Sequence, residues 1–376
     1  MKPGDIGKDT KDTVVWLGSG FSYGSQDYEP YRPPLGCKFF TASVKERLKR
    51  YPVLQAVWEA YKSPQDLEDF WKNLDVDFNQ GRCSVEISES GLDKAFKESR
   101  RSPAHQGLKD YYEIYSEGVA SVVSHAQAVA GFELKCLTQD ILRPGPTECR
   151  RLRQFWSILR HPLRVLTFNY DLYAEFSLVC DRRGFSYRPS LAPEIADIFK
   201  LHGSIQWTHR KFCDRDGKCR FCWANDGECP LGICESLSCE APRSWFGERC
   251  HEKPCFHLID PVMVGLRQKR EFGKGEGDPR IRDLFGGLLR DSQEALIAAD
   301  RVIVIGFSFS KADDYLWCHL AAKQVGSPKQ VLCCYFNQDP DQDYEKRVQE
   351  FFGVEATFIR SGFADEFLTR LSSFLK

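Results

Sequence analysis

Four places in this chain deliver small or chemically versatile residues straight from an apolar run. VVWL leads into Gly18-Ser19-Gly20-Phe21-Ser22, LRVLTF into Asn169-Tyr170-Asp171, IFKL into His202-Gly203, and RVIVIGF, through Gly306, into Ser308. A fifth run, VLCCYF, leads into Asn337. A bare turn at Gly18 and Gly20 lets backbone N–H groups approach an anion such as a nucleotide phosphate, and a following helix start favours negative charge. The Asn169 amide can donate and accept, so it can hold a water without carrying charge. The His202 imidazole can take a proton near neutral pH. Asp171 suits either orientation of a ligand or the capping of a turn. The spacing Gly18-Ser-Gly20-Phe-Ser-Tyr-Gly24 is not G-x-G-x-x-G, so the dehydrogenase fingerprint is absent.

A second kind of chemistry is concentrated between residues 213 and 255. Of 16 cysteines in the chain, eight fall there: Cys213, Cys219, Cys222, Cys229, Cys234, Cys239, Cys250 and Cys255. Cys219-x-x-Cys222 has the spacing of a zinc knuckle, and four thiolates close a tetrahedral structural site. Eight thiolates could close two such sites, or one with spares. The looser spacings beyond Cys222 leave the ligand set open, with His251 and His257 as substitutes for a thiolate. Clustered thiols in a reducing compartment favour metal over disulfides, a disulfide-rich patch being the alternative.

The elements that must position these groups follow from the hydrophobic pattern. Unalternating apolar runs predict strands of a parallel sheet covered on both faces. Ligands of such sheets bind outside the carboxyl ends of the strands, where this chain changes from apolar to polar. Residues 41–159 read as a helical insertion lying beside that cleft. Within it TASVKERLKR is an amphipathic start, and Ser63-Pro64-Gln65-Asp66 combines a cap, an early proline and an acidic first turn. Leu67, Phe70, Trp71 and Leu74 follow at helical spacing. The polar stretch around 79–102 reads as a loop or weak helix, Arg150, Arg151 and Arg153 as a solvated helix face, and 365–375 as a closing amphipathic helix. The expected fold is therefore α/β: a Rossmann-like parallel sheet from residues 13–40, 160–204 and 258–376, the helical insertion, and a small cysteine-rich zinc-binding module at 205–257. Short of apolar periodicity, that module needs cross-links or metal to hold it.

Composition narrows the function. The apolar fraction of 42% and charged fraction of 28% are those of a globular protein, and the formal net charge of −1 supplies no field to draw in nucleic acid or anionic lipid. The opening MKPGDIGKDTKDT has no apolar h-region and no run is long enough to span a bilayer. A cytoplasmic protein with no membrane partner is expected.

The order of motifs resembles the sirtuin superfamily, whose members carry G-A-G-x-S, T-Q-N-x-D, H-G, a cysteine zinc module, G-T-S and a later N at a strand end. The counterparts here are Gly18-Ser19-Gly20-Phe21-Ser22, Thr167-Phe168-Asn169-Tyr170-Asp171, His202-Gly203, the cysteine block, Gly306-Phe307-Ser308 and Asn337, in the same order. Ser19 replaces alanine and Phe168 replaces glutamine. The family's G-I-P-D-F-R is missing, with Pro33-Pro34-Leu35-Gly36 nearby and Arg32 as a substitute arginine. Val262-Met263-Val264-Gly265-Leu266 lacks the aromatic and glutamate of the deacetylase channel. These departures look most like the divergent bacterial sirtuin-like proteins of antiphage defence, many of which hydrolyse NAD. The resemblance implies NAD as substrate and structural Zn2+. It further implies Asn169, His202 and Asp171 as catalytic groups, and Gly18, Ser19, Gly20, Ser22, Gly306, Ser308 and Asn337 as NAD contacts. It implies a homo-oligomer held inactive until an activating protein or phage component relieves it. The expected activity is an NAD+ glycohydrolase. A protein-lysine deacylase and a non-catalytic NAD or ADP-ribose sensor are the alternatives.

Overall fold

The computed structural model describes residues 12–25, 38–67, 150–159, 162–181, 183–187, 195–209, 231–232, 261–263, 279–309, 330–336 and 342–376, with scattered positions between 70 and 141 and residues 189 and 320. The elements, in chain order, are β1 (Thr13–Leu17), α1 (Ser19–Ser25), α2 (Ala42–Leu48), α3 (Pro52–Ala60), α4 (Arg150–Ile158), β2 (Leu163–Thr167), α5 (Tyr173–Cys180), β3 (Gly184–Ser186) and β4 (Ile195–Lys200). They continue with β5 (Gly203–His209), β6 (Leu231–Gly232), β7 (Pro261–Met263), α6 (Pro279–Ala298), β8 (Arg301–Ile305), β9 (Gln330–Cys334), α7 (Gln342–Phe352), β10 (Ala356–Ile359) and α8 (Asp365–Phe374). Two compact units result: residues 1–32, 145–202 and 270–376 form one, and residues 33–144 with 203–269 the other.

The first unit is built on a seven-stranded sheet in the order β10-β9-β8-β1-β2-β4-β3, every neighbouring pair parallel. The chain starts at β1, winds outward through β2 to β3 and β4, then returns to β8 and winds the other way. The direction of winding therefore reverses between β1 and β8, which is the topological switch point where such sheets bind ligands. The five runs identified by their apolar character are β1, β2, β4, β8 and β9; β1 and β8 are buried along their whole length. The short β3, and β10 with its Thr357 exposed, are edge strands that carry no such run.

Helices cover both faces of the sheet. On one face Phe21 of α1 meets Phe155 and Trp156 of α4 and Phe363 just ahead of α8, with ring centroids 5.2–6.1 Å apart. On the other, Trp16 meets Phe351 and Phe352 of α7 at 5.4 and 6.0 Å. Aromatic side chains of this size dominate the burial on both faces. Arg151 departs from the solvated helix face expected of it: its guanidinium turns inward, donates to the Gly24 carbonyl at 2.8 Å and ties α4 to the end of α1. Arg150 and Arg153 are exposed.

In the second unit the Thr41 hydroxyl accepts the Val44 N–H and starts α2 where the sequence predicts it. Phe40 packs on Trp58 and Phe70, and Leu67 and Leu74 are buried as their spacing requires. The Leu54 N–H in the first turn of α3 is taken by the buried Glu133 carboxylate at 2.7 Å, which satisfies an otherwise orphan donor. Strands β6, β5 and β7 form a small antiparallel sheet, β7 lying in the extended stretch after the cysteine block.

Candidate functional site

The strands of the large sheet end level with one another. Leu17 is in register with Thr167 on one side and Ile305 on the other, Thr167 with Lys200, and Ile305 with Cys334. The ladder runs one residue further: the Gly18 N–H donates to Ile305, Phe168 to Leu17, Leu201 to Thr167 and Gly306 to Cys334, at 2.8–3.1 Å. Gly18, Phe168, Leu201 and Gly306 therefore stand at one height. The residues that follow them, among them Asn169 and His202, emerge together at one edge of the sheet.

The bareness of the first turn has a cause inside the protein. A Cβ on Gly18 would lie 2.4 Å from the Gly306 oxygen, and one on Gly20 would lie 2.6 Å from the Gly306 Cα. Gly306 itself has φ +60, and a Cβ there would lie 2.3 Å from the Gly20 Cα. The Gly20 N–H donates to the Gly306 carbonyl at 3.0 Å. The turns after β1 and β8 thus press backbone on backbone, and three glycines are needed for that approach alone. Ser19 and Ser308 are exposed on these two turns.

Asn169 is clamped to the first turn. Its Nδ2 donates to the Gly18 carbonyl at 2.9 Å and to Ser22 Oγ at 3.1 Å, and its own N–H donates to Thr167 Oγ1 at 3.1 Å. Both amide hydrogens are spent inside the protein. The Oδ1 oxygen, which accepts from none of the described residues, is what Asn169 has to offer a water or a ligand. Asp171 is buried beside it and accepts the Tyr173 N–H at 3.0 Å, so it caps α5. Burial pushes its carboxyl up to about 6, against the Lys200 ammonium and the hydrogen bonds from Ser22 and the Tyr173 N–H, which pull it down.

His202 is buried, edge-on to Phe168 with centroids 5.0 Å apart, and 5.6 Å from the Tyr170 ring. Phe168 is stacked on Trp16 at 5.4 Å and packs on Phe307 at 4.3 Å. The position where the sirtuin motif has a glutamine is here part of an aromatic wall of Trp16, Phe168, Phe307 and Phe309. Phe309 holds φ +48, a left-handed backbone that a bulky residue adopts at a cost of about 1–2 kcal/mol. Its ring offsets that cost by packing against Trp16, Phe307, Tyr344, Phe351 and Phe352.

Two charged residues enter the site that sequence reading did not single out. Lys200, the last residue of β4, is fully buried; its Nζ donates to the Asp171 carbonyl and to Glu175 Oε1, the latter at 2.9 Å. Tyr187 Oη donates to the same Glu175 oxygen at 3.0 Å. The available signal was a lysine ending an otherwise apolar strand run, since lysine is almost never fully buried unless paired.

Of the sequence-derived residues, Gly18, Gly20, Ser22, Asn169, Asp171 and Gly306 are joined by direct contacts, and His202 adjoins them through Phe168. Asn337 and all eight cysteines, Cys213, Cys219, Cys222, Cys229, Cys234, Cys239, Cys250 and Cys255, lie outside the described residues. Among the described residues there is no cluster of three or more His, Cys, Asp or Glu able to hold a metal, and no helix long and apolar enough to cross a membrane.

No family model matches the sequence. No curated protein matches it either. Among solved structures, the chain is similar to one described as showing the structural basis of sirtuin substrate affinity, with 14% identity over 96% of this chain and 92% of that one and a TM-score of 0.33. It is similar to a Sir2 complex with a p53 peptide and NAD+ at 14% identity, 96% and 92% coverage and a TM-score of 0.31. A mutant Sir2 homologue in complex with ADP ribose aligns at 15% identity over 70% of this chain and 82% of that one, with a TM-score of 0.33.

Proposed function

We propose that this chain is a sirtuin-like NAD+ glycohydrolase that binds NAD at the carboxyl edge of the large sheet and breaks its nicotinamide–ribose bond. The observation that carries the reading is the direct hydrogen bond of the Asn169 amide to Gly18. It joins the second family-like motif to the first at the sheet's switch point, with His202 one aromatic ring away. Six family-like motifs in the same chain order add to it.

The chemistry asks little of an acid. Nicotinamide leaves as a neutral base from a cationic precursor, through a transition state of oxocarbenium character like that of glycoside hydrolysis. The water's oxygen bonds to the anomeric carbon, the C–N electron pair leaves with nicotinamide, and the water's proton passes to solvent through His202. Asn169 Oδ1 holds that water, fixed in place because Nδ2 is anchored twice. The N–H groups of Gly18, Gly20 and Gly306 are spent inside the protein, so the exposed Ser19 and Ser308 hydroxyls are what these two turns offer the diphosphate and ribose, with Asn337 on the adenosine ribose. The cysteine block is read as a structural zinc module, and the resemblance supplies the antiphage setting, the homo-oligomer and the activating partner.

The test is purified chain with NAD alone, products separated chromatographically, for wild type, Asn169→Ala and His202→Ala. ADP-ribose and nicotinamide should form without any acyl substrate, which a pure deacylase does not allow. Losing the general base should cost about 10²–10⁴-fold. Binding of ADP-ribose without turnover, unchanged in both variants, would replace the enzyme with the sensor.

A further inference from the structure

We infer that Lys200 is a positioning residue that locks the segment carrying Asn169 to the segment carrying His202. The two candidate catalytic groups come from different strands, β2 and β4. Besides the ladder and the packing of the His202 ring on Phe168 and Tyr170, a charged side chain ties these segments together. Lys200 stands two residues before His202, and its Nζ reaches across to the carbonyl oxygen of Asp171, two residues after Asn169. Glu175, in the first turn of α5, accepts a second Nζ hydrogen at 2.9 Å, and Tyr187 Oη donates to Glu175. Lys200 and Glu175 are both fully buried. A backbone carbonyl held by a buried ammonium cannot swing, so the Asn169-Tyr170-Asp171 turn keeps one orientation relative to β4. Strand packing does not call for this arrangement, since an apolar side chain at position 200 would complete β4 as well. Within the proposed function, on which the inference rests for its kinetic arm, the spacing of amide and imidazole depends on the pair.

A single change leaves one buried charge alone and puts the fold at risk, so the informative variant is Lys200→Met with Glu175→Met, which removes both charges and restores apolar packing. Two readouts are taken on it. The first is hydrogen exchange of the Asn169 side-chain amide, identified by its loss in Asn169→Asp and protected in the wild type by its bonds to Gly18 and Ser22. The double variant, folded by calorimetry, should exchange that amide at least tenfold faster. The second is NAD turnover, where kcat should fall at least tenfold with KM within threefold of wild type. A folded double variant with wild-type amide protection and wild-type kcat would overturn the inference. Absence of both turnover and ADP-ribose binding in the wild type would sink the proposed function instead, and amide exchange would still decide the role of Lys200.

Discussion

Replacing Gly306 by alanine tests the claim that backbone contact, and not ligand access alone, dictates the glycines at the switch point. The new Cβ would sit 2.3 Å from Gly20 Cα, 2.5 Å from Gly20 C and 2.7 Å from Phe21 N, where ordinary contact is 3.4–4 Å. All three neighbours are backbone, so no rotamer change relieves the overlap; α1 must retreat by about an ångström, at an overpacking cost of about 1–3 kcal/mol. The left-handed φ of +60 adds about 1–2 kcal/mol for any residue with a Cβ. The sum is about 2–5 kcal/mol, a large part of the 5–15 kcal/mol that typically holds a domain together. At about 2–4 °C per kcal/mol for a unit of this size, the melting temperature should fall by about 4–20 °C. Gly286→Ala is the control. It lies exposed within α6 with nothing within 4 Å of its Cβ position, so alanine there should gain about 0.5–1 kcal/mol. Calorimetry or urea unfolding of both variants decides the matter. If Gly306→Ala melts within a degree or two of wild type, the backbone contact between the two turns is not what demands glycine there.

Four further outcomes follow from the same geometry. Because burial raises Asp171 from 3.8 to about 6, its ionisation costs stability above pH 6 and nothing below pH 4; relative to Asp171→Asn, the wild type should gain up to about 3 kcal/mol as pH falls from 7 to 4. A difference between the two proteins that stays flat across that range in urea titrations would refute the raised carboxyl. Lys200→Met alone should cost about 3–5 kcal/mol, and adding Glu175→Met should recover most of it; equal loss in the single and double variants would mean that the pair is not a closed unit. Phe309→Gly should be more stable than Phe309→Ala by about 1–2 kcal/mol in thermal unfolding, reversing the usual order, since only glycine relieves the φ of +48. Metal analysis of the purified chain should find about one or two zinc ions, lost on Cys219→Ser with Cys222→Ser; a metal-free chain with all thiols reactive would remove the zinc module.

The strands that position the site were legible because burial on both faces writes an unbroken apolar run, and β1, β2, β4, β8 and β9 all carry one. The edge strands β3 and β10 were not, since a strand of three or four residues with exposed positions has no such signature. Helices α6 and α7 passed unremarked because their apolar residues are spread among charges, as in PRIRDLFGGLLRDSQEALIA and QDYEKRVQEFF. At the site, Asn169 and His202 were visible as polar residues terminating apolar runs. Lys200 was written into the same strand end, inside the run IFKL, yet was not singled out, because a side chain's burial and partners are tertiary facts. Glu175 looked like ordinary first-turn helix chemistry, and only its ammonium partner makes it part of the site.

The glycine turn changes meaning once the sheet is assembled. Read alone, Gly18 and Gly20 argue for a bound phosphate; read with Gly306, they argue first for the meeting of two strand ends. The two demands reinforce each other. A ligand can enter at the switch point only where β1 and β8 turn away together, and the closeness of those turns excludes a Cβ at Gly18, Gly20 and Gly306 while leaving Ser19 and Ser308 exposed. The same contact holds Gly18 where its carbonyl accepts the Asn169 amide, which leaves Oδ1 as that side chain's remaining polar group. Asn169 therefore serves the proposed reaction as an acceptor. Asn169→Asp keeps that oxygen but loses both Nδ2 anchors, so it should lower turnover nearly as far as Asn169→Ala. An aspartate variant that kept wild-type turnover would show that the clamp to the first turn is dispensable.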